Sequence, residues 1–388
     1  MRLFLDAFIS HFALKMFIEI LLFISNIFLR IVLSILSPFY RLLTIKKIKS
    51  DLIVFTSYPD AADNALAMFR YLQSQPKCRD IIWLVNSKDP AVATRLQGAR
   101  VIVRRSLRGM VALATARLVF HTHGLPRYVK RRSGQVIVNL WHGMPLKKIS
   151  SLHDDRSSVS IDDYAIATSE LFRRVMARAF LLPPERVLLT GQPRNDALFR
   201  TMGYPGIPLW MPTFRHSLEG GVRRDSLLSP EGFVRILSDV DAELAGRGLR
   251  LSLKLHPMDL LNTVLTQDFE AIDVIFGHDR TQSVEDLLAG SSALITDYSS
   301  TAIDYLVLKR PIGYFCPDLD QYTRGYIDEV EPAYFAAGTM LGDLNALIGF
   351  IASPTMPLED RSAELVAHRD GDSAQRLWQQ LRVLEDVQ

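Results

Sequence analysis

The stretch SSALITDYSSTAIDYLVLKRPIGYF at residues 291–315 decides the fold, because a short apolar run leads directly into a helical pattern. The run at 293–295 is of the kind that a parallel sheet buries on both faces, and Pro311 ends the helix that follows. A helix that begins at the carboxyl end of a strand points its N–H groups and positive dipole end at the sheet edge, where phosphate can bind. Ser299 or Ser300 could instead merely cap the helix, which would be the better interpretation of an isolated D-x-S-S.

Four other segments accompany this stretch in the same chain. They are NLWHGMPLK at 139–147, TGQPRND at 190–196, PTFR at 212–215 and LKLHP at 253–257. Together with TDYSS at 296–300 they resemble the CDP-glycerol glycerophosphotransferase family of teichoic acid and capsule polymer biosynthesis. The resemblance runs from about Leu52 to Asp328 and therefore covers most of the chain.

Composition limits the class of protein. At 388 residues, 48% hydrophobic and 22% charged, the chain is long enough for two domains and is neither disordered nor fibrous. A formal charge of +3, without a basic run that has interleaved aromatics, argues against nucleic acid as a partner. The two cysteines, Cys78 and Cys316, lack metal-ligand spacing and fit a reducing compartment.

A long apolar segment at residues 12–40 precedes a basic patch at Arg41, Lys46, Lys47 and Lys49. Its polar residues fall on one stripe of a helix, and a signal-peptide cleavage site is missing. The sequence therefore predicts a membrane-associated helix, with the lysines against anionic lipid at the cytoplasmic face of the cell membrane. Whether the helix lies in the interface or spans the bilayer stays open, and a soluble amphipathic helix is the weaker alternative.

Short apolar runs alternate with helical patterns from residue 52 onward, which predicts doubly wound parallel sheets. The predicted strands are 52–55, 81–85, 101–103, 118–120, 136–140 and 187–189, then 209–211, 251–255, 274–276, 293–296 and 312–315. Gly203, Pro205, Gly206 and Pro208 suit a hinge between the two rounds.

The expected fold is α/β of the GT-B type, which the resemblance also implies: two Rossmann-like domains that face a cleft, with an N-terminal membrane-associated helix. The expected domains are 1–50 (membrane segment), 51–202 (acceptor side), 203–355 (CDP-donor binding) and 356–388 (C-terminal helices).

His142 follows the predicted strand 136–140, in a Trp-His-Gly turn that faces the crevice. An imidazole titrates near neutrality, which suits a general base. A lone histidine held by backbone in a Gly-Pro loop would be the ordinary explanation, but Gly143, Pro145 and Lys147 complete the family segment and favour function. The family usually has Thr where this chain has Met144, which puts a side-chain role there in doubt.

His256 also comes directly after a strand, and Pro257 fixes the chain behind it. The resemblance implies that this histidine acts near the pyrophosphate, and we expect it to contact phosphate or the leaving group rather than act as the base. Lys254 points to the same side of the strand as His256 and could alternatively be an ordinary salt-bridge partner.

Cations and hydroxyls complete the expected donor site. Arg194 and Arg215 are candidate phosphate ligands, because a guanidinium fork matches phosphate oxygens. Asn195 and Asp196 could equally cap the next helix. The remaining donor-binding candidates are Thr213 in PTFR, Asp297, which would position the turn or a substrate hydroxyl, Tyr298, the phosphate-binding Ser299 and Ser300, and Asp304 one helical turn further on. Arg324-Gly325-Tyr326 resembles a further family segment.

No metal or other cofactor is expected. His121-Thr122-His123 lacks a third ligand at suitable spacing and is interpreted as an ordinary loop. Asp239-Val240-Asp241 falls in a helical pattern and is interpreted as a solvated face, and Asp318-Leu319-Asp320 is looser.

The resemblance implies an enzyme that transfers glycerol phosphate from CDP-glycerol to a hydroxyl of a lipid-linked or polymeric acceptor and releases CMP. The alternatives are a CDP-ribitol or other CDP-polyol phosphotransferase, a nucleotide-sugar glycosyltransferase of the same fold, and a non-catalytic membrane scaffold. The paired histidines argue against the scaffold. The number of units added, the acceptor and the oligomeric state stay open.

Overall fold

The computed structural model describes residues 36–76, 79–153, 160–200, 206–213, 229–279, 282–317, 319 and 325–386. Most of the apolar segment 12–40 lies outside these residues, as do Cys78, Gly203, Pro205, Arg215, Asp318, Asp320 and Arg324. Among the described residues, none of the helices combines the length and the apolar character that crossing a membrane requires.

Two parallel sheets organise the chain, as the alternation of strands and helices predicts. The first has seven strands in the order β3-β2-β1-β4-β5-β6-β7 and the second has six in the order β10-β9-β8-β11-β12-β13. The strands of the first sheet are β1 (Lys49–Thr56), β2 (Asp80–Val85), β3 (Arg100–Val103), β4 (Ala116–His121), β5 (Val136–Asn139), β6 (Tyr164–Ala167) and β7 (Val187–Leu189). Those of the second are β8 (Leu209–Trp210), β9 (Leu251–Lys254), β10 (Ile272–Ile275), β11 (Leu294–Thr296), β12 (Ile312–Phe315) and β13 (Thr339–Leu341).

Register is set by parallel pairing along both sheets. Leu52 lies opposite Asp80 in the β1–β2 pair, and Leu294 lies opposite Leu209 in the β11–β8 pair. Because β8, β9 and β11 are neighbours and parallel, the segments that follow their carboxyl ends meet at one edge of the second sheet. The sequence pattern does not predict two of the strands, β6 and β13, since four and three residues give too short an apolar run.

Helices connect the strands. They are α1 (Asp63–Gln73), α2 (Pro90–Arg95), α3 (Leu107–Thr115), α4 (Glu170–Phe180), α5 (Pro230–Gly246), α6 (Leu261–Val264), α7 (Val284–Gly290), α8 (Thr301–Tyr305), α9 (Glu331–Ala336), α10 (Leu344–Ala352), α11 (Ser362–Leu365) and α12 (Ser373–Asp386). Short 3₁₀ turns cover Ser150–Leu152, Pro184–Arg186, Pro193–Phe199 and Leu306–Leu308. Side-chain caps fix several helix starts, as where Ser169 accepts the Phe172 amide and Ser229 accepts the Gly232 amide.

The chain divides into two compact units. Of the described residues, the first unit contains 36–56, 79–120 and 124–137, and the second contains 57–76, 121–123 and everything from 138 onward. In the first unit, the Phe55 ring stacks on Trp83 and Phe120, with centroids 5.5 and 5.0 Å apart. The four-domain division expected from the sequence stays a prediction.

The second unit has two apolar cores. One packs α4 against α8 and β12 through side chains such as Phe172, Tyr305 and Tyr314. The other surrounds Trp210 and includes Leu237 of α5 and Leu347 of α10. In the C-terminal tail, α11 and α12 are the expected packing helices, with Leu365, Leu377 and Leu381 buried.

Candidate active site

The turn that carries His142 follows β5 and has an unusual backbone. Trp141 has φ 50° and Gly143 has φ 134°, both in the left-handed half of conformational space, where a tryptophan is strained. Hydrogen bonds hold the strained residue from both sides. The Trp141 amide donates to Asn139 Oδ1 at 3.0 Å, and Asn64 Nδ2 donates to the Trp141 carbonyl at 3.2 Å. The turn is therefore a fixed platform for the histidine.

The His142 ring has one defined tautomer when it is neutral. Its Nδ1 lies 3.0 Å from the Thr122 carbonyl, and because a carbonyl only accepts, Nδ1 must carry the proton. Burial lowers the pKa of His142 below its ordinary value of 6.5, although the hydrogen bond to Thr122 opposes that fall. The ring also stacks on His123 at a centroid distance of 3.9 Å. At neutral pH, Nε2 of His142 therefore presents a lone pair, which is what a general base requires.

Arg194 lies beside His142 and joins three segments. Its Nη1 donates to Asp63 Oδ1 at 2.8 Å and to the His142 carbonyl at 3.1 Å, and its Nη2 donates to Asp304 Oδ2 at 2.6 Å. Burial works against the charged guanidinium, but Asp304 and Asp63 raise the pKa of Arg194 above its ordinary value. Burial raises the pKa of Asp304, while the positive charge of Arg194 opposes that rise. In this arrangement the guanidinium is a half-buried link between two carboxylates, of which Asp304 is buried.

Gly143 brings the His142 turn against the TDYSS segment. A Cβ atom added at Gly143 would lie 3.0 Å from Arg194 Nη2 and 3.1 Å from Ser300 Oγ. Only glycine combines this close approach with the φ of 134° found here. The structure thus brings together five of the residues that the sequence singled out: His142, Gly143, Arg194, Ser300 and Asp304.

The turn between β11 and α8 is tied to the end of β8. Both carboxylate oxygens of Asp297 accept from Thr213, from its amide at 2.9 Å and from its hydroxyl at 3.0 Å. Asp297 Oδ1 also accepts the Tyr298 amide at 2.7 Å, and the Tyr334 hydroxyl shares its proton between the Asp297 and Ser299 carbonyls, 2.7 and 2.9 Å away. Asp297 is 1% exposed, so its carboxylate acts here as the anchor of the turn.

The other residues of the turn have separate surroundings. Ser299 Oγ accepts the Thr301 amide at 3.2 Å and lies 3.0 Å from the Thr301 hydroxyl. Tyr298 is buried, and Lys147 Nζ lies 6.0 Å from the centroid of its ring.

Two residues that follow His142 are enclosed by the fold. Pro145 is buried, and Met144 belongs to an apolar core and so has a packing role.

His256 follows β9 and has the opposite tautomer to His142. Its Nδ1 accepts the Met258 amide at 3.1 Å, so the proton of the neutral ring is on Nε2. The side chain is exposed. Asn262 supports this loop, because its Nδ2 donates to the His256 carbonyl at 2.8 Å and its Oδ1 accepts the Gly277 amide at 2.6 Å. Nε2 of His256 is therefore suited to donate a hydrogen bond to an anion.

Lys254 lies in β9 with its ammonium on the loop after β10. Nζ donates to the Phe276 carbonyl at 2.7 Å and to the Asp279 carbonyl at 3.5 Å. Burial lowers the pKa of Lys254. These contacts connect the end of β9 to the loop after β10 through two backbone carbonyls, and the negative charge of Asp279 opposes the fall in the pKa of Lys254.

Sequence reasoning missed several residues that shape the site. Asp63 and Asn64 open α1, and Asn64 Nδ2 also donates to the Leu140 carbonyl at 3.0 Å while its Oδ1 accepts the Arg194 amide at 3.1 Å. Gln192 donates to Asp304. The sequence indicates an ordinary loop around Thr122, yet the carbonyl of this residue fixes His142. The position of Thr122 and Gln192 just beyond carboxyl strand ends is the signal that could have identified them.

Three expected roles of neighbouring side chains need correction. The buried His121 lies in β4 with Nε2 2.7 Å from Asp162 Oδ1, so it is paired within the fold. Asp196 accepts the Ser373 and Ala374 amides and therefore caps the distant α12, not the helix that follows it. Asp241 accepts the amides of residues 270–272 at the entry to β10, so it is more than a solvated residue of α5.

Within the described part of the chain, no three His, Cys, Asp or Glu side chains are grouped so that they could hold a metal ion. The expectation that transfer needs no tightly held metal stays a prediction. Arg215 lies outside the described residues, so its role as a phosphate ligand also stays a prediction.

This chain has two parallel sheets connected by helices, and its polar and titratable residues gather at the carboxyl ends of the strands. Proteins of this α/β class bind their ligands at that edge of the sheet. Within this class, residues 38–382 match the family model of CDP-glycerol:poly(glycerophosphate) glycerophosphotransferases. The chain therefore belongs to that family of transferases, as its sequence segments indicate.

Individual relatives support this assignment. The teichoic acid ribitol-phosphate primase of Bacillus spizizenii is 28% identical over 90% of this chain and 95% of its own length. The teichoic acid poly(glycerol phosphate) polymerase of Staphylococcus epidermidis is 27% identical over 72% of this chain, which spans 42% of that protein. Among solved structures, the wall teichoic acid polymerase TagF superposes with a TM-score of 0.70 over 92% of this chain and 95% of that one, at 20% identity, which shows a shared fold.

Proposed function

We propose that this protein transfers glycerol phosphate from CDP-glycerol to a hydroxyl group of a lipid-linked or polymeric acceptor and releases CMP. Family membership supports the reaction class. The observation that carries the mechanism is the pair of histidines with opposite tautomers, one with a lone pair at Nε2 and one with a proton there. Acceptor activation needs the first kind of group, and stabilisation of a leaving phosphate needs the second.

His142 takes the acceptor proton in this mechanism. Nε2 removes the proton from the acceptor hydroxyl as its oxygen attacks the distal phosphorus of the donor. The new O–P bond forms on the acceptor, and the bond from that phosphorus to the bridging oxygen breaks in line. CMP leaves with the electron pair of the broken bond, so its phosphate gains negative charge.

Groups at the edge of the second sheet receive that charge. His256 donates from Nε2 to the leaving phosphate, and the hydroxyl and backbone N–H groups at Ser299 and Ser300 bind the pyrophosphate. Arg194 acts mainly by position, because its contacts with Asp63, Asp304 and the His142 carbonyl hold the base turn against Ser300. Lys254, Asp297 and Thr213 keep the loops of the donor site in register.

A GT-B architecture agrees with the separate roles proposed for His142 and His256. A GT-B arrangement would place the acceptor beside the first sheet, which carries His142, and the donor beside the second, which carries His256 and the TDYSS turn. The apolar segment 12–40 would hold the enzyme at the cytoplasmic face of the cell membrane, where a lipid-linked acceptor is available.

CDP-ribitol is the second candidate donor. The relative that this chain matches over 95% of its length is named a ribitol-phosphate primase. A ribitol donor leaves the roles of both histidines unchanged, because the phosphorus that reacts and the CMP that leaves are the same.

Purified protein in detergent tests the proposal when CDP-glycerol, CDP-ribitol and a UDP-sugar are offered separately with a lipid-linked acceptor. We expect CMP release and a product mass increased by one or more glycerol phosphates, which also distinguishes priming from polymerisation. CMP release from CDP-ribitol alone would change the donor but keep the mechanism. UDP release with a sugar-sized mass gain would overturn the proposed reaction.

The same assay tests metal dependence. We expect the rate of CMP release to survive treatment with a chelator, because hydrogen-bond donors rather than an ion would neutralise the leaving phosphate. Activity that the chelator abolishes and a divalent metal restores would contradict this expectation.

A further inference from the structure

Positive charge is concentrated in the first compact unit. Residues 36–56, 79–120 and 124–137 contain 16 Lys and Arg against 3 Asp and Glu, whereas the whole chain has 45 against 42. The rest of the chain is correspondingly acidic. So uneven a distribution indicates that this unit meets an anionic surface or polymer.

Two basic segments that are distant in sequence lie together in this unit. Arg132 Nη2 donates to the Lys46 carbonyl at 2.9 Å, and the Tyr40 and Tyr128 rings pack with centroids 5.6 Å apart. The segment 39–49 carries the exposed cations Arg41, Lys46, Lys47 and Lys49, and the loop 124–135 carries the exposed cations Arg127, Lys130 and Arg131. The surface that they form together is called the basic face below.

The loop 124–135 is held in shape rather than extended into solvent. Tyr128 and Val129 are buried, and Arg132 Nη1 also donates to the Ala114 carbonyl. Burial raises the pKa of Tyr128, and Arg104 and Arg105 oppose that rise, which places two more cations within electrostatic reach of the loop. The cations of the basic face are therefore presented by a supported scaffold.

Apolar side chains are exposed among these cations. Phe39, Leu42 and Ile45 recur every three residues, and Ile45 is 80% exposed. Single exposed apolar residues are ordinary, but three in seven residues, next to a dense set of cations, have the composition of an interfacial membrane anchor. The segment is also continuous with the apolar sequence that ends at residue 40.

We propose that the basic face binds a bilayer that contains anionic lipid, with Phe39, Leu42 and Ile45 in the headgroup region and the loop 124–135 as a second electrostatic contact. This inference rests on the membrane association proposed above and adds a contact about 80 residues further along the chain. A polyanionic polymer would satisfy the cations equally well. It would offer nothing to the three apolar side chains, and for this reason the bilayer is favoured.

Vesicle partition of the full chain tests the proposal. Vesicles of phosphatidylcholine alone are compared with an equal mixture of phosphatidylcholine and phosphatidylglycerol. Each cation near an anionic surface contributes roughly fivefold to partition, so Arg127→Gln with Lys130→Gln should weaken binding to the mixed vesicles about 30-fold. Binding to phosphatidylcholine vesicles should stay unchanged. Leu42→Ser with Ile45→Ser should weaken binding to both.

Lys88→Gln with Arg95→Gln is the matched control, because it removes the same charge from the same unit. Lys88 follows the carboxyl end of β2, whereas Lys46 precedes the amino end of β1. Because β1 and β2 are parallel, these two lysines lie at opposite edges of the sheet. The control pair should change partition less than about threefold, since it lies away from the proposed contact. Equal losses in the two pairs would overturn the proposal in favour of a net-charge effect. Loop variants that lose affinity for soluble poly(glycerol phosphate) but not for vesicles would overturn it in favour of a polymer as the partner.

Hydrogen exchange gives a second readout if the apolar N-terminal segment holds every variant on the vesicles. Amides of residues 124–135 should exchange more slowly on the mixed vesicles than on phosphatidylcholine, and equal exchange on both would overturn the proposal. Neither measurement uses a donor. A failure of the proposed reaction, measured as CMP release with an acceptor, is therefore distinguishable from a failure of the basic face.

Discussion

The loops of His142 and His256 follow strands in the same way, yet their side chains are held in opposite states. The His142 ring is half-buried, with Nδ1 donating to the Thr122 carbonyl and its pKa lowered by burial. The His256 ring is exposed, and its Nδ1 accepts the Met258 amide. The group that contacts Nδ1 thus decides whether Nε2 accepts or donates, and the residue type alone does not.

The supports of the two loops differ as well. The His142 turn is fixed by a half-buried ionic link through Arg194 to Asp63 and Asp304. In the His256 loop, Asn262 donates neutral hydrogen bonds to the His256 and Asp259 carbonyls, and the buried Asp259 accepts the Leu261 amide. A base must meet the acceptor oxygen in one geometry, whereas a phosphate offers several oxygens to a donor, so we expect changes at the first loop to cost more.

His142→Gln should produce the largest effect. Glutamine can occupy the position of Nε2 but cannot take a proton at neutral pH, so kcat should fall about 10²- to 10⁴-fold. The KM for CDP-glycerol should change little, and initial rates of CMP release measure both. His368→Gln, which changes the same residue type in the C-terminal region, is the control and should keep wild-type kinetics. A fall in kcat of less than about tenfold in His142→Gln would show that His142 is not the general base.

Asp304→Asn should destabilise the protein and impair the site together. Loss of the sole partner in a buried ion pair typically costs about 3–5 kcal/mol, and the cost here should be smaller because Arg194 keeps Asp63 as a second carboxylate partner. Denaturant titration should show a lower free energy of unfolding, and kcat should fall as Gly143 and Ser300 lose their register. Asp239→Asn on the exposed face of α5 is the matched control. A variant as stable as the wild type would contradict the proposed link.

His256 should respond differently to glutamine and to phenylalanine. The side-chain amide of an introduced glutamine can donate where Nε2 does, so His256→Gln should lose less than about tenfold in kcat/KM. His256→Phe removes a donor to a charged group and should lose about 10- to 100-fold. Measurements of kcat/KM for CMP release compare the two. Equal, severe losses in both variants would indicate that His256 takes part in proton transfer.

Asn262→Ala should have the smallest effect. It removes three hydrogen bonds at the partly exposed His256 loop, each contributing about 1 kcal/mol, so the KM for the donor should rise several-fold with kcat nearly unchanged. Thermal unfolding should show a modest decrease in Tm. A fall in kcat at constant KM would contradict a role limited to positioning.

Most of the fold could be predicted from the sequence because buried parallel strands are short apolar runs between helical patterns. Both sheets follow from that alternation. The strands β6 and β13 could not be predicted, since YAIA and TML are too short to distinguish from apolar stretches of loops. Their places are set by pairing with β5 and β12, which is tertiary information.

The site could be predicted where the functional side chains belong to one short segment of sequence, as in Trp141-His142-Gly143 and the TDYSS turn. The sequence could not show which partners these residues have. The fork of Arg194 suggests a phosphate ligand, yet Asp63 lies 131 positions away and Asp304 lies 110 positions away, and both contact it. The tautomers depend on backbone groups of other segments, which no spacing pattern records.

The pH dependence of kcat/KM for CMP release tests the division between the two histidines most directly. His142 must be neutral to act, so activity should be lost as pH falls through its pKa, and because that pKa is lowered the acid limb should lie below pH 6.5. We predict that this limb is present in the wild type and in His256→Gln but absent from the residual activity of His142→Gln. An acid limb that persists in His142→Gln and disappears in His256→Gln would contradict the account.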